Sequence, residues 1–297
     1  MSLGKKIKKN LAIQTARLQA GFLKGMSRGE IETIARHVME QQGRGDDLPL
    51  VLFSRAHLEK STHVPNQFQL NGERFLLDAV SQLGFSVLFD VGANKGTWST
   101  HVHAVFSDAD LHAFEIVPDT CRKLEAALGP GPHMHINEFG LSDQPGAVTV
   151  FLYDSDLLSS VFHFETGGDS SDAQITSRVE RGADYCVNHG ITSIDFLKVD
   201  VEGAEGRVLE GFRPLFESGS IRLVQFEYNR GALIGDFLLK HAFEFFSGLE
   251  YRLGKLTPEG VHFHEYDFIY EDFVGPNYVA CRADDVELID IISRFSR

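Results

Sequence analysis

Two short stretches carry residues whose types and spacing could do chemistry. The first is Asp90-Val91-Gly92-Ala93-Asn94-Lys95-Gly96, between a strand-like run and a helix-like one. Gly92 and Gly96 allow a tight turn and close approach of backbone to a ligand. The helix opening near Thr97 offers free N–H groups to an anion. The spacing is D-x-G-x-x-x-G, so the loop is neither a P-loop nor the G-x-G-x-x-G dinucleotide turn. An acid at the strand end repels a pyrophosphate and suits a cationic group. The amino group and sulfonium of S-adenosylmethionine have that character. Glu115 ends the next strand, where a carboxylate can accept two hydrogen bonds from ribose hydroxyls. The pair points to a nucleoside-type cofactor, whereas the glycines alone would need only a tight strand-to-helix turn.

The second stretch is Ile194-Asp195-Phe196-Leu197-Lys198-Val199-Asp200-Val201-Glu202-Gly203-Ala204-Glu205. A lysine inside an apolar strand is costly unless paired. Asp200 and Glu202 bracket the strand end, where chemistry would occur. An ion pair and an acidic helix start are the competing explanation.

These residues need a scaffold, and alternation supplies it. Strands are predicted at Val87–Val91, 111–115, 135–139, 147–152, 194–200, Ile221–Glu227, 251–256 and Asn277–Arg282. Helices are predicted at 97–106, Pro118–Leu128, 173–187, 204–216 and 234–246. This order implies a mostly parallel sheet covered by helices on both faces.

The chain has 297 residues, 43% hydrophobic and 24% charged, enough for a sizeable core. No run of about 18 apolar residues is present, which excludes a membrane-spanning helix. Cys121, Cys186 and Cys281 are odd in number and far apart, which argues against a disulfide framework and for a reducing, cytoplasmic compartment. A net charge of −14 disfavours wholesale binding to nucleic acid. The charge is uneven. Residues 1–28 contain Lys5, Lys6, Lys8, Lys9, Arg17, Lys24 and Arg28 and no acid. Ile7, Leu11, Leu18 and Phe22 share one helical face, a pattern that fits a helix packed on its own domain or one lying on an anionic membrane. Ser27 and Glu30 have capping-box spacing before a second helix. Residues 1–74 read as a helical extension and 75–297 as the catalytic domain.

The chain from about residue 75 to 285 resembles the FkbM-type methyltransferases. The resemblance rests on Phe89–Gly96, on Ala113-Phe114-Glu115, on Leu141-Ser142-Asp143-Gln144-Pro145-Gly146 and on Leu158-Ser159-Ser160. Its strongest piece is Leu197–Glu205, followed by Val224-Gln225-Phe226-Glu227 and Asn277-Tyr278-Val279-Ala280. It implies a doubly wound, Rossmann-like, seven-stranded sheet with the last strand antiparallel. It implies S-adenosylmethionine-dependent methylation of hydroxyl groups on sugars or secondary metabolites. Carried onto this chain, Asp90 would hold the methionine ammonium, directly or through water. Gly92, Asn94 and Gly96 would line the methionine and ribose, and Glu115 would grip the ribose. Ser142 and Asp143 would sit near the adenine, unless they serve turn chemistry alone. Asp200 would lie beside the sulfonium or the acceptor.

An alcohol acceptor must lose a proton, so a general base is expected. Asp200 and Glu202 are candidates by position, and His262 and His264 are candidates on a rim between the last two strands. The alternation of V-H-F-H-E-Y-D-F equally fits a half-exposed hairpin. Asp200 with Glu227 and Asn229 could offer oxygen ligands to Mg²⁺, but a hydrogen-bonded strand end is the preferred reading, with no metal assigned. The competing functions are a non-catalytic scaffold of the same fold and a nucleotide-dependent oxidoreductase.

Overall fold

The computed structural model describes Glu30, Thr33 and residues 67–153, 159–163, 173–273, 275 and 277–294. The chain divides into two compact units, Met1–Glu59 and Lys60–Arg297. In the first, Glu30 and Thr33 are the described residues, and both are helical. The stripe of Ile7, Leu11, Leu18 and Phe22 lies outside the described residues, as do Ser27 and Leu158.

Among its described residues, the first helix of the second unit is α1, Glu73–Val80. Then follow β1 (Val87–Val91), α2 (Thr97–Val105), β2 (Asp110–Phe114), α3 (Pro118–Leu128) and β3 (Met134–Asn137). A second group comprises β4 (Gly140–Ser142), β5 (Gly146–Leu152), β6 (Ser159–Ser160), β7 (Gln174–Arg181) and α4 (Gly182–His189). The chain continues with β8 (Ile194–Val199), α5 (Glu205–Gly211), α6 (Arg213–Glu217), β9 (Ile221–Glu227) and α7 (Gly231–Ile234). It closes with α8 (Leu239–Ser247), β10 (Tyr251–Thr257), β11 (Gly260–Phe263), β12 (Asn277–Arg282) and α9 (Val286–Ser293).

The main sheet has the order β11-β10-β12-β9-β8-β1-β2-β3. Strands β3, β2, β1, β8 and β9 are mutually parallel, and β12 runs antiparallel to both β9 and β10. This is the expected doubly wound pattern with an antiparallel last strand. The sheet has eight strands rather than seven, because β11 folds back on β10 as an edge hairpin. Chain order reverses between β1 and β8, which opens a crevice at their carboxyl ends.

Alternation along the strands sorts two cores. Phe89, Val91, Leu197, Val199, Val224 and Phe226 face one side, under α4, α5, α6 and α8. Leu88, Phe196, Leu223 and Val279 face the other, under α1, α2 and α9.

Several expectations change; the helix expected over 234–246, for one, is split into α7 and α8 with residues 235–238 outside both. Residues 173–187 were expected as one helix, but 174–181 pair with β5 as a strand, and the helix starts at Gly182. Ile175, Ser177 and Val179 alternate with more exposed residues, a period of two. The helix expected over 204–216 breaks into α5 and α6 around Phe212, where Pro214 cannot donate a helical hydrogen bond. Helix α9 was not expected. Asp285 caps it, its side chain accepting from the Leu288 N–H.

Candidate active site

A cavity of about 520 Å³ lies at the carboxyl ends of β1, β2, β8 and β9. The β1–α2 loop forms one wall. Gly92 has φ +83°, and a Cβ there would sit 1.8 Å from the Asp200 carbonyl oxygen. The two loops after β1 and β8 therefore cross at a distance that only glycine permits. Gly96 also has φ +83°, and α2 starts immediately after it without a side-chain cap.

Glu115 lines the cavity beside this loop. Its Oε2 accepts from the Asn94 N–H at 2.8 Å and its Oε1 from the Val117 N–H at 2.8 Å. Burial pushes its pKa up against these two hydrogen bonds. The carboxylate is thus clamped, with further lone pairs left for ligand hydroxyls. Ile116, Leu141, Val179 and Ser142 continue the wall. Ser142 donates its hydroxyl to Asp143 at 3.0 Å, and Asp143 itself does not line the cavity.

A buried polar row runs along and under the floor, with Lys198 lining the cavity itself. Asp90, Lys198 and Gln225 are register partners on three adjacent strands and face the α1–α2 side. Lys198 Nζ lies 3.2 Å from Asp90 Oδ1 and 3.2 Å from Asp200 Oδ2. Asp90 Oδ2 accepts from the Ser99 hydroxyl at 2.6 Å. Asp90 is wholly buried and does not line the cavity, so the expected direct contact with a ligand ammonium is not available to it. Both its oxygens are occupied by Lys198 and Ser99. Gln225 donates to Glu73 at 2.6 Å, and Asn71 donates to the other Glu73 oxygen at 2.5 Å. Glu73 lines the cavity, and burial raises its pKa.

The β8–β9 end is acidic. Carboxylate oxygens of Asp200, Glu202 and Glu227 lie within 4.8 Å of one another. Glu202 sits at φ +53°, an unusual place for a residue other than glycine. Asn229 organises the cluster: its Oδ1 accepts from the Gly231 N–H at 2.6 Å, and its Nδ2 donates to Glu227 at 2.6 Å and Glu202 at 3.3 Å. Burial, then the charges of Asp200 and Glu205, push Glu202 up to about 8. Glu227, buried beside the same acids, is held well above the usual carboxylate range. Glu205 accepts from the Val201 and Gly203 N–H groups at 2.9 Å each and braces the loop.

With that geometry in place, the comparison with known proteins is decisive at the level of family. A model of the methyltransferase FkbM domain matches residues 90–253, more than half of the chain. The chain belongs to the FkbM methyltransferase family. The 31-O-demethyl-FK506 methyltransferase FkbM of Streptomyces tacrolimicus is 29% identical over 152 residues, covering 42% of this chain and 58% of that protein. The 2-O-methyltransferase NoeI of Sinorhizobium fredii is 25% identical over 139 residues, covering 42% of this chain and 56% of that protein. The chain thus spans less than two thirds of either relative. The crystal structure of methyltransferase FkbM from Methylobacillus flagellatus KT superposes with a TM-score of 0.43 at 12% identity, over 67% of this chain and 44% of that one.

Within this FkbM-family fold, Gly92, Asn94, Glu115, Ser142, Asp200 and Glu202 line one cavity, while Gly96 ends the loop that forms its wall. His262 and His264 do not line it. His262 is exposed on β11, paired with Lys255, and His264 packs against Tyr270 and Phe243. The hairpin carries them to the sheet edge beyond β12, away from the β1–β8 switch point. Phe68, Glu73 and Trp98 line the cavity without having been singled out in the sequence. An acid in a first helical turn is ordinary, so Glu73 carried no local signal.

Proposed function

We propose that the chain is an S-adenosylmethionine-dependent O-methyltransferase acting on a hydroxyl of a sugar, glycan or secondary metabolite. The single observation that carries this reading is Glu115, clamped by two backbone N–H groups at the cavity wall beside the Gly92–Gly96 loop. The names of the two relatives support oxygen as the acceptor atom. The residues present fit the cofactor. Glu115 suits ribose hydroxyls, and Ile116, Leu141 and Val179 give an apolar slot for adenine beside Ser142. When bound, S-adenosylmethionine supplies an electrophilic methyl group on a cationic sulfur.

The chain's own residues then do three things. Asp200, Glu202 and Glu227 surround the positive charge with acids. Glu202, raised to about 8 by burial and its acidic neighbours, can take a hydroxyl proton in its ionised form, which gains population as pH rises toward 8. Asn229 holds Glu202 and Glu227 together, and Lys198 fixes Asp200 to Asp90 beneath the loop. A divalent cation at the three carboxylates is the less favoured variant, because Lys198 already places an ammonium 3.2 Å from Asp200.

Three further parts belong to this proposal. The location is cytoplasmic, consistent with three free, buried cysteines. Among the described residues no helix is long and apolar enough to cross a membrane. The basic segment 1–28 makes a peripheral contact with anionic membrane, a charge-based reading; deletion of residues 1–28 is expected to abolish binding to anionic vesicles. Nucleic acid is not a partner, given a net charge of −14.

Calorimetric titration with S-adenosylmethionine, S-adenosylhomocysteine and NAD tests the core of it. Binding of the first two at micromolar affinity, lost in Glu115→Ala, is expected. Absence of binding would leave the fold without the activity and bring the scaffold reading forward, and binding of NAD alone would restore the oxidoreductase.

A further inference from the structure

Arg207 lies on α5, is exposed, and lines the same cavity as Ser159, Val161 and Glu202. Its guanidinium sits over the Phe162 ring, 5.1 Å from the ring centroid. That contact holds the cation in place without using any of its five N–H donors. Arg181, Arg213, Arg222 and Arg282 each hold a carboxylate. Among the described residues no carboxylate pairs with Arg207, although Asp200, Glu202 and Glu227 line its cavity. Lys198, another cation of the cavity, is committed to Asp90 and Asp200. The aromatic platform is tied to the acidic end. The Phe162 N–H donates to the Ser160 hydroxyl at 3.1 Å, and that hydroxyl donates to the Glu202 carbonyl oxygen at 2.7 Å. A short chain of contacts therefore runs from the guanidinium to the backbone of the candidate base. Burial holds Glu202 and Glu227 above the usual carboxylate range, which lowers the repulsion that an incoming anion meets near neutral pH.

We infer that Arg207 binds a carboxylate or phosphate group on the methyl acceptor and makes the site selective for an acidic sugar over a neutral one. This names the substrate class of the proposed O-methyltransferase and rests on that reading. A planar fork of N–H donors suits the paired oxygens of either anion. In a chain of net charge −14 the overall field does not draw in an acidic acceptor, so a local cation has to select it. Arg207 holds the anion while the acceptor hydroxyl lies toward Glu202.

The full chain, saturated with S-adenosylhomocysteine, is titrated near neutral pH with D-glucuronate, D-glucose 1-phosphate and D-glucose. Salt is held at about 0.15 M so that long-range attraction is screened, and weak binding is read from chemical shifts of the isotope-labelled protein. At least one anionic sugar is expected to bind about tenfold more tightly than glucose, the size of one charge-assisted hydrogen bond. The stronger of the two tells carboxylate from phosphate. Arg207→Gln should erase that preference and leave glucose binding within about twofold, and Arg207→Lys should restore part of it. Two results overturn the inference: neither anionic sugar binding more tightly than glucose, or a preference that survives Arg207→Gln. Failure of the cofactor reading is seen separately, as a wild type that does not bind S-adenosylhomocysteine. The three sugars titrated without cofactor then still score the anion site, by the same comparison.

Discussion

The two ends of the cavity are held by different forces. At the β1–β2 end, position is set by sterics and backbone hydrogen bonds. Gly92 is the only residue type that fits beneath the Asp200 carbonyl, and Glu115 is pinned by the Asn94 and Val117 N–H groups. At the β8–β9 end, position is set by a balance of charge. Asp200, Glu202 and Glu227 crowd together, and burial drives protons onto two of them. The first end has one arrangement, with a single clamped carboxylate. The second changes its charge with pH, as a site that must accept a proton requires. The difference teaches that binding and proton transfer can be placed on separate strands of one sheet and altered independently.

The sharpest break of this contrast is Gly92→Ala. A Cβ 1.8 Å from a backbone oxygen cannot be relieved by a rotamer change. Calorimetry is expected to show S-adenosylhomocysteine affinity down by more than about a hundredfold. Gly84→Ala serves as the control, since φ is +63° there with nothing within 4 Å, and it should cost only about 1 kcal/mol in urea unfolding.

Next in size is Lys198→Met. It leaves Asp90 buried opposite no cation, so unfolding free energy should fall by about 3–5 kcal/mol. A loss below about 1 kcal/mol would show that the row beneath the floor is not an ion-pair lattice.

Glu115→Gln keeps the shape and removes the charge. Ligand affinity should drop about tenfold at pH 9, and the loss should shrink toward low pH, because burial raises the Glu115 pKa and the wild type then loses the same charge. A loss that is the same at every pH would show that the Glu115 charge is not what holds the ligand.

The acidic end is tested by linkage. Glu202 and Glu205 ordinarily titrate near 4.5 and are raised to about 8 and about 7 here. The native state therefore binds their protons more tightly than the unfolded chain. Their contribution is fully present below pH 4.5 and is lost as pH rises toward about 8. Thermal unfolding midpoints should fall across that window, and Glu202→Gln should flatten the fall. An unchanged slope in the variant would count against the assignment of Glu202 as the titrating base. The smallest effect is expected from His262→Ala, which should leave ligand affinity within about twofold.

Much of this was legible in the residues. The alternation of strands and helices, the D-x-G-x-x-x-G loop, Glu115 and the L-K-V-D-V-E-G-A-E stretch each carry a local pattern. Local patterns survive into structure because turn chemistry and strand period act over a few residues. The hairpin carrying His262 and His264 was legible only as alternation, and alternation is silent on whether a hairpin reaches a site or an edge. Residues 174–181 were misread because a polar strand on a small second sheet depends on its partner, β5, more than on its own composition.

By itself, the sequence determined the parallel α/β architecture, the loop that only glycine can make and the carboxylates at three strand ends. These follow from backbone sterics and from hydrophobic periodicity. Tertiary structure alone decided what each carboxylate does. Asp90 is sealed against Lys198 and Ser99, Glu115 is clamped at the wall, and Glu202 is crowded into a higher pKa. It also brought Glu73 and Trp98, from helices on either side of β1, into one cavity. The reason is physical: the cost of a buried charge and the partner of a buried donor depend on neighbours in space, and strand register sets those neighbours across more than a hundred residues of chain.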